Sequence, residues 1–325
     1  MIACRISRAF VVALVMSGLL ATQGAQEAKA SQPTMPFPPA PATMEGAQTH
    51  IYKVHGDTKL PIFVFSPTPE QADEARAAVV FFHGSGWLAG SVYQFAGYAR
   101  ELARHGIVAA VAEYRVKEGY GTTPFESVAD AKSAVRWLRQ NHARLNVRAD
   151  RIVAAGGSAG AHIALTAALF EDRFDDPQDE LSVSARPDAL ALFVPIVDTT
   201  AETGYRETVP LFNGRERELS PIHHLRAGLP PTLMLYGTSD AYIPPALVER
   251  YCELARTLNN RCELAPFVGR NHFFYNHPAY FKLRPAMKDA YPGHDFVAAT
   301  FLLERFLHEQ GFFSGLPRVE MVPAP

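Results

Sequence analysis

Residues 156–160 read Gly-Gly-Ser-Ala-Gly, a G-x-S-x-G pattern with one hydroxyl at its centre. The pattern follows the apolar run 151–155 and precedes the apolar run 161–170, so it joins a predicted strand to a predicted helix. In that context the glycines allow a sharp turn that exposes the serine hydroxyl beside the free N–H groups of a helix N-terminus. Ser158 is therefore the candidate nucleophile, and a plain glycine-rich turn is the alternative.

A serine nucleophile needs a base, and the base needs an acid that orients it. Asp240 follows the apolar run 232–237, and His272 follows the apolar run 262–267. The carboxyl ends of parallel strands share one edge of a sheet, where sites of such sheets lie. We therefore predict that Asp240 and His272 complete a catalytic triad with Ser158, in the chain order serine, aspartate, histidine.

Other residues of the same types compete for these two roles. Asp198 follows an earlier apolar run and is the alternative acid, while His277 and His294 are alternative bases. Most single histidines and aspartates in a protein are structural. Placement beyond the end of a predicted strand favours His272 over the other two histidines, and Asp198 stays the alternative to Asp240.

A second glycine-rich loop, His-Gly-Ser-Gly-Trp at 83–87, follows the apolar run 77–82. Backbone N–H groups of Ser85 and Gly86 in such a loop can face a developing oxyanion, together with the N–H of Ala159. An ordinary turn is the alternative. Nucleophile, base, acid and oxyanion donors together indicate acyl transfer, for which no metal or organic cofactor is needed.

The elements that would position these residues alternate along the chain. Apolar runs predict strands at 49–54, 60–65, 77–82, 107–114, 151–155, 189–197, 232–237 and 262–267. Helical spacing predicts helices at 95–104, 128–142, 161–170, 245–258 and 296–308. This alternation predicts one α/β domain over 49–315, with a mostly parallel sheet covered by helices on both faces. Segment 198–230 is long enough for a small cap over the site, although a surface loop is equally compatible with it.

The first thirty residues have the composition of a signal peptide. Arg5 and Arg8 precede an apolar run at 9–20, which is too short to span a membrane comfortably. A small-x-small pattern ends at Ala30, so we predict cleavage after this residue and a periplasmic or secreted protein. An uncleaved membrane anchor is the alternative. Residues 31–48 form a proline-rich leader before the domain.

Composition narrows the range of partners. The chain has 325 residues, of which 48% are hydrophobic and 20% charged, and its formal net charge is −2. With no basic stripe, nucleic acid is not an expected partner, and no stable membrane insertion is expected once the signal is removed. Cys252 and Cys262 are the cysteines of the chain after the signal. In an oxidising compartment they can form a disulfide, and two buried thiols are the alternative.

The motifs resemble those of a known family. HGSGW, GGSAG, LYGTSDAYIP and NHFF look like signatures of bacterial carboxylesterases of the α/β-hydrolase fold, in the BD-FAE-like and hormone-sensitive-lipase-like (bacterial family IV) branches. The resemblance covers roughly residues 75–310. Ser85 stands where the family usually has glycine, Gly157 replaces an aspartate of the lipase-like branch, and Ala161 replaces its second glycine. The last two departures favour the BD-FAE-like branch.

The resemblance implies hydrolysis of short-chain or aryl carboxylic esters through an acyl-enzyme on Ser158. The substrate would be a small molecule or an acyl group on a polysaccharide, and no cofactor would be required. Trp87, Tyr205 and Tyr242 are the predicted residues of the substrate pocket. A serine peptidase of the same fold and a non-catalytic binding protein on a hydrolase scaffold are the alternatives.

Overall fold

A computed structural model describes residues 37–68, 76–200, 206–281 and 294–313. These residues belong to one compact unit. The predicted signal peptide and residues 31–36 of the proline-rich leader lie outside the described residues, as does Tyr205. The limits 49–315 for the domain stay a prediction.

The described residues form one eight-stranded sheet with helices on both sides. The strands are β1 (Gln48–His55), β2 (Thr58–Phe65), β3 (Arg76–Phe82), β4 (Val108–Ala112), β5 (Val147–Gly157), β6 (Ala189–Phe193), β7 (Thr232–Gly237) and β8 (Cys262–Phe267). The α-helices are α1 (Tyr93–Arg104), α2 (Lys117–Tyr120), α3 (Pro124–Gln140), α4 (Ala159–Leu169), α5 (Pro245–Thr257), α6 (Pro278–Phe281) and α7 (His294–Glu309). In the described part of the chain, no helix is long and apolar enough to cross a membrane.

The sheet is parallel except at one edge. Its strand order is β1-β2-β4-β3-β5-β6-β7-β8, and β2 pairs antiparallel with both β1 and β4. From β4 to β8 every pairing is parallel, so the strands that precede the candidate residues all end at the same edge. The predicted α/β fold with a mostly parallel sheet is confirmed.

Alternate side chains of the central strands enter two separate cores. Val80 and Phe82 of β3 pack into the core that includes residues of α3, α4 and α5. Val79 and Phe81 pack into the core that includes residues of α1 and α7. This alternation follows from the two-residue period of a strand and explains why β3 is apolar throughout.

The predicted strand 189–197 is wrong at its carboxyl end, because β6 stops at Phe193. Val194 has a φ of 46°, in the left-handed region that a β-branched residue rarely adopts, and this turns the chain away from the sheet. Its N–H still donates to the carbonyl of Leu235 at 2.7 Å. Asp198 therefore does not directly follow a strand.

The described part of segment 198–230 is packed onto the domain. It contains 3₁₀ helices at Arg206–Phe212, Glu216–Leu219 and Pro221–His223. Phe212 and Leu219 are buried in the core beside α4. These two side chains anchor this part of the segment to the helical layer.

A cluster of buried charges joins β1 to α3, and we call Lys53, Arg115, Asp130 and Asp176 the lysine cluster. The Lys53 ammonium lies 2.8 Å from Asp130 and 2.7 Å from Asp176. Arg115 donates two side-chain hydrogen bonds to Asp130, at 2.8 and 2.7 Å. Each charge therefore has an opposite charge in direct contact.

Cys252 of α5 and Cys262 of β8 are joined by a disulfide bond. The bridge closes the turn between this helix and the edge strand. Of the two alternatives that the sequence leaves open, the structure contains the disulfide.

Candidate active site

Ser158 occupies the junction between β5 and α4 in an unusual backbone conformation. Its φ is 54° and its ψ is −117°, a combination that costs a non-glycine residue free energy and occurs mainly at functional sites. Its N–H donates to the carbonyl of Phe193 at 2.8 Å, and its carbonyl accepts from the N–H of His162 at 3.0 Å. The hydroxyl makes no capping hydrogen bond to α4. The backbone is thus held firmly while the hydroxyl remains available.

Two glycines allow neighbouring elements to approach this turn. A Cβ atom on Gly160 would lie 2.6 Å from the carbonyl carbon of Phe82 at the end of β3. A Cβ atom on Gly157 would lie 2.7 Å from the ring carbon Cζ of Tyr275, which follows β8. The segment after β8 therefore packs directly against the residue before Ser158.

Asp240 and His272 form a buried pair beyond the ends of β7 and β8. The Nδ1 atom of His272 lies 2.8 Å from Oδ2 of Asp240. The other carboxylate oxygen accepts the N–H groups of Tyr242 and Ile243 at 2.8 and 2.9 Å. Because a carboxylate only accepts, Nδ1 carries the proton and Nε2 of a neutral imidazole keeps a lone pair. This is the tautomer that a general base requires.

The parallel register brings the three strand ends to one edge. Gly157 of β5 pairs with Phe193 of β6, and Phe193 pairs with Leu235 of β7. Leu235 in turn pairs with Ala265 of β8. β5 ends at this row of paired residues, and β7 and β8 end two residues beyond it. The segments that carry Ser158, Asp240 and His272 therefore leave the sheet at the same edge.

The competing residues have other partners. One carboxylate oxygen of Asp198 accepts from the N–H and hydroxyl of Thr200, at 2.9 and 2.8 Å, and from the hydroxyl of Ser220 at 3.1 Å. His277 packs edge-on against Phe296 of α7, with 4.5 Å between ring centroids. The side chain of His294 lies outside the described residues.

The loop after β3 has three successive residues with positive φ: Ser85 at 92°, Gly86 at 66° and Trp87 at 60°. In the described part of the chain, the backbone N–H groups of Ser85, Gly86 and Ala159 donate no hydrogen bond. Free N–H groups on this loop and at the first residue of α4 are what an oxyanion site requires.

Known proteins are similar to this chain in sequence and fold. The family model BD-FAE matches residues 65–204. The chain is similar to esterase 2 of Thermogutta terrifontis phosphoramylated by tabun, with 34% identity and a TM-score of 0.75 over 84% of this chain and 97% of that one. The propionate-bound structure of that esterase has 33% identity, a TM-score of 0.73, and coverage of 83% and 97%. The chain belongs to the α/β-hydrolase esterases.

A curated relative is more distant. The probable isoprenylcysteine alpha-carbonyl methylesterase ICMEL2 of Arabidopsis thaliana is 24% identical over 68% of this chain and 56% of its own length. The chain thus spans about half the length of the curated relatives it matches, at 56% and 47% for two of them.

The structure explains two departures from the esterase motifs. Ser85 replaces a glycine at a φ of 92°, so it keeps the glycine conformation at a cost in backbone strain. Gly157 replaces the aspartate of the lipase-like branch, and the ring of Tyr275 occupies the space of that side chain. Gly157 and Tyr275 are therefore a matched pair in this esterase.

The imidazole of His83 is hydrogen-bonded within the loop 83–87, which we call the oxyanion loop. It lies 2% exposed, and its Nδ1 is 3.1 Å from the carbonyl oxygen of Gly84. A carbonyl only accepts, so Nδ1 carries the proton. Since the carbonyl and the following N–H of one peptide point in opposite directions, this bond also directs the N–H of Ser85.

Behind His83 lies a buried carboxyl group. Nε2 of His83 is 4.0 Å from Oε2 of Glu113, and neither atom has a hydrogen-bond partner among the described residues. Burial lowers the pKa of His83 to about 4, and burial followed by the nearby Asp130 raises the pKa of Glu113 to about 8. Both groups are therefore neutral at pH 7.

The structure places the predicted pocket residues in different environments. Trp87 is 1% exposed and packs edge-on against His162 and Phe212, beside the oxyanion loop, and its role in the substrate pocket stays a prediction. Tyr242 is 47% exposed, and its ring centroid lies 5.3 Å from that of His272. Tyr205 lies outside the described residues. Among the described residues, no group of His, Cys, Asp and Glu side chains could hold a metal ion.

Sequence reasoning missed Gln94, Glu113 and Tyr275. Gln94 lies on the buried stripe of α1 with Tyr98 and Leu102, at intervals of four residues. A polar amide on an apolar stripe was the available signal, because a buried polar group needs partners. Glu113 carried the same kind of signal, because it lies in the apolar run 107–114, and Tyr275 carried none.

Proposed function

We propose that the protein is an exported serine carboxylesterase that hydrolyses short-chain or aryl carboxylic esters through an acyl-enzyme on Ser158. The hydrogen bond between Asp240 and His272, at the same sheet edge as the strained turn that carries Ser158, is the observation that best supports this proposal. Its substrate is a small-molecule ester or an acyl group on a polysaccharide.

Acylation begins when Nε2 of His272 accepts the proton of Ser158 and the serine oxygen attacks the ester carbonyl carbon. The carbonyl oxygen becomes an oxyanion, which the free N–H groups of the oxyanion loop and α4 stabilise. Collapse of this intermediate breaks the ester bond, and the departing alcohol takes the proton from His272. Asp240 stabilises the imidazolium while it exists.

Deacylation repeats these steps with water. His272 accepts a proton from water as the oxygen attacks the acyl carbon, and then returns it to the oxygen of Ser158. The carboxylic acid leaves, and the free enzyme is restored. Each group ends as it began, so no further reactant is consumed.

The preference for small acyl groups rests on the relatives and on the site. The similar esterase of Thermogutta terrifontis has been obtained with propionate bound. In the present chain, the buried Trp87 and Phe212 fill space close to the oxyanion loop. Both observations favour a short acyl chain.

Export is supported by the signal-like segment at 1–30 and by the disulfide between Cys252 and Cys262. The protein recovered from the periplasm or medium of a bacterial host should begin at Ser31, as N-terminal sequencing would show. A product that still begins at Met1 and sediments with membranes would instead be an anchored protein.

The activity is tested by Ser158→Ala, which should lower kcat on p-nitrophenyl acetate by at least about 1000-fold. Ser182→Ala, at an exposed position, is the matched control and should retain full activity. A panel of p-nitrophenyl esters of increasing acyl length, with a feruloyl ester and a peptide, then defines the substrate class. Activity that survives in Ser158→Ala, or faster cleavage of the peptide than of every ester, would contradict the proposal.

A further inference from the structure

Gln94 connects the two loops of the site. This residue of α1 is 4% exposed, and its side-chain amide makes three hydrogen bonds. Its Oε1 accepts the backbone N–H of Gly84 at 2.7 Å. Its Nε2 donates to Oδ1 of Asn276 at 2.8 Å and to the hydroxyl of Tyr275 at 3.1 Å. Gly84 directly precedes Ser85, and the other two partners follow His272.

We propose that Gln94 is a positioning residue that fixes the oxyanion loop relative to the segment carrying His272, and that this alignment sets the rate of acyl transfer. We call residues 272–276 the histidine segment. The inference rests on the proposed function, since it assumes that Ser158 is acylated. It assigns Gln94 no contact with the substrate.

On one side, Gln94 controls the peptide that begins the oxyanion loop. The N–H of Gly84 is held by Gln94, and its carbonyl is held by Nδ1 of His83. A Cβ atom on Gly84 would lie 3.0 Å from the carbonyl oxygen of Gly157 and 3.4 Å from Cβ of Ser158. Gly84 therefore lies against the nucleophile turn, and a shift of this peptide changes the distance from the donors to Ser158.

On the other side, Gln94 holds the histidine segment at its far end. The carbonyl of Tyr275 accepts the hydroxyl of Tyr98 at 2.7 Å, and Asn276 is 1% exposed. The ring of Tyr275 packs against Gly157, as the space at this glycine shows. Gln94 and Tyr98, both on α1, thus fix the segment from the same helix.

A glutamine is well suited to this role because both halves of its amide are used. One end must accept an N–H, and the other must donate to a hydroxyl and to an amide oxygen. Leucine has a similar volume but provides neither function. Glutamate provides acceptors, and it donates only when it is protonated.

The test compares Gln94→Leu with the native chain after titration of active sites. Paraoxon releases one p-nitrophenol for each reactive serine, and the end point counts folded, reactive enzyme. We expect kcat per titrated site on p-nitrophenyl acetate to fall by about 10- to 100-fold with KM nearly unchanged, because small displacements of catalytic groups have effects of this size. A kcat per site within about twofold of the native value would overturn the inference.

Thr232→Val is the matched control. The hydroxyl of Thr232 donates to the carbonyl of Pro230 at 3.0 Å, at the amino end of β7, so the variant loses a buried hydrogen bond far from the site. We expect lower stability and an unchanged kcat per titrated site. An equal fall in both variants would show that general destabilisation, and not alignment, reduces the rate.

Gln94→Glu provides a second measurement if the leucine variant does not fold. Burial raises the pKa of a carboxyl group, and the protonated acid regains one donor. The ratio of its kcat to the native value should therefore increase as pH falls from about 8.5 to 5.5. A ratio that stays flat over this range would overturn the inference.

These outcomes are separate from failure of the proposed function. If Ser158 is not the nucleophile, the native chain gives no titration that Ser158→Ala abolishes. If only the inference is wrong, the native chain and Gln94→Leu both titrate fully and turn over at the same rate.

Discussion

The lysine cluster and the polar groups beneath the oxyanion loop are both buried, but their polar atoms are satisfied differently. In the lysine cluster, Lys53 contacts two carboxylates and Ser133, and Asp130 also binds Arg115. Beneath the oxyanion loop, His83 and Glu113 lie 4.0 Å apart, and each keeps an atom without a partner among the described residues.

The difference shows two ways in which a protein can bury a titratable group. A buried charge is tolerated when an opposite charge and hydrogen bonds compensate for the loss of water. A group without such compensation becomes neutral, as the opposite pKa shifts of His83 and Glu113 indicate. Asp240 and His272 combine both patterns, because their bond satisfies the acid and leaves one imidazole nitrogen for chemistry.

The largest expected effect comes from Asp240→Asn. Asparagine can donate to Nδ1 of His272 and so favour the wrong tautomer, which should lower kcat about 10,000-fold with little change in stability. Rates on p-nitrophenyl acetate and urea unfolding of the same preparation would measure both quantities. Asp198→Asn is the control, and a comparable loss of rate there would make Asp198 the acid.

Removing one charge from the lysine cluster should lower stability and leave kcat unchanged, which is the opposite of the result expected for Asp240→Asn. Lys53→Met leaves Asp176 and Asp130 with less compensation, so the free energy of unfolding should fall by about 3–5 kcal/mol. The kcat per titrated site should not change. Lys59→Met, at an exposed position of β2, should alter neither quantity. A fall in kcat at unchanged stability would remove the distinction between the two clusters.

The smallest effect concerns pH and Glu113. Its pKa is about 8 in the folded protein and near 4.5 in the unfolded chain, so the folded state holds an extra proton between these values and stability falls as pH rises. His83, with a folded pKa of about 4 against 6.5, has the opposite effect up to about pH 6.5. From about pH 6.5 to 8, the titration of Glu113 therefore lowers the free energy of unfolding as pH rises, and His83 no longer offsets this decrease.

Glu113→Gln should remove that decline. The Tm of the native chain should fall by a few degrees between about pH 6.5 and 8, and the Tm of the variant should be flatter over the same range. Glu118→Gln, on the exposed side of α2, should follow the native curve. Parallel curves for all three proteins would show that the carboxyl of Glu113 is ionised in the folded state at neutral pH.

Much of the fold was predictable because its signals are local. The apolar runs before Ser158, Asp240 and His272 are strands, and the parallel order of their ends follows from the alternation with helices. The end of β6 had a local signal that the apolar pattern obscured, because Pro195 cannot donate to a sheet ladder and argues against a central strand there. The backbone at Val194 shows the turn directly.

The supporting contacts of the site were less accessible to sequence reasoning. Gln94 bonds to residues 181 and 182 positions away in the chain, and no local pattern records such a distance. The burial of Trp87 was also not predictable, because a tryptophan after a glycine-rich loop can be exposed or packed. Tertiary contacts decide between these two environments.

The covalent link between α5 and β8 makes the behaviour of this protein depend on where it is made. The bond spans ten positions of the chain. Closing a loop of that length lowers the entropy of the unfolded state and so stabilises the folded protein by about 2–3 kcal/mol. A host compartment that keeps thiols reduced would yield the same sequence without this contribution. Preparations from two hosts would then differ in heat tolerance although every residue is identical.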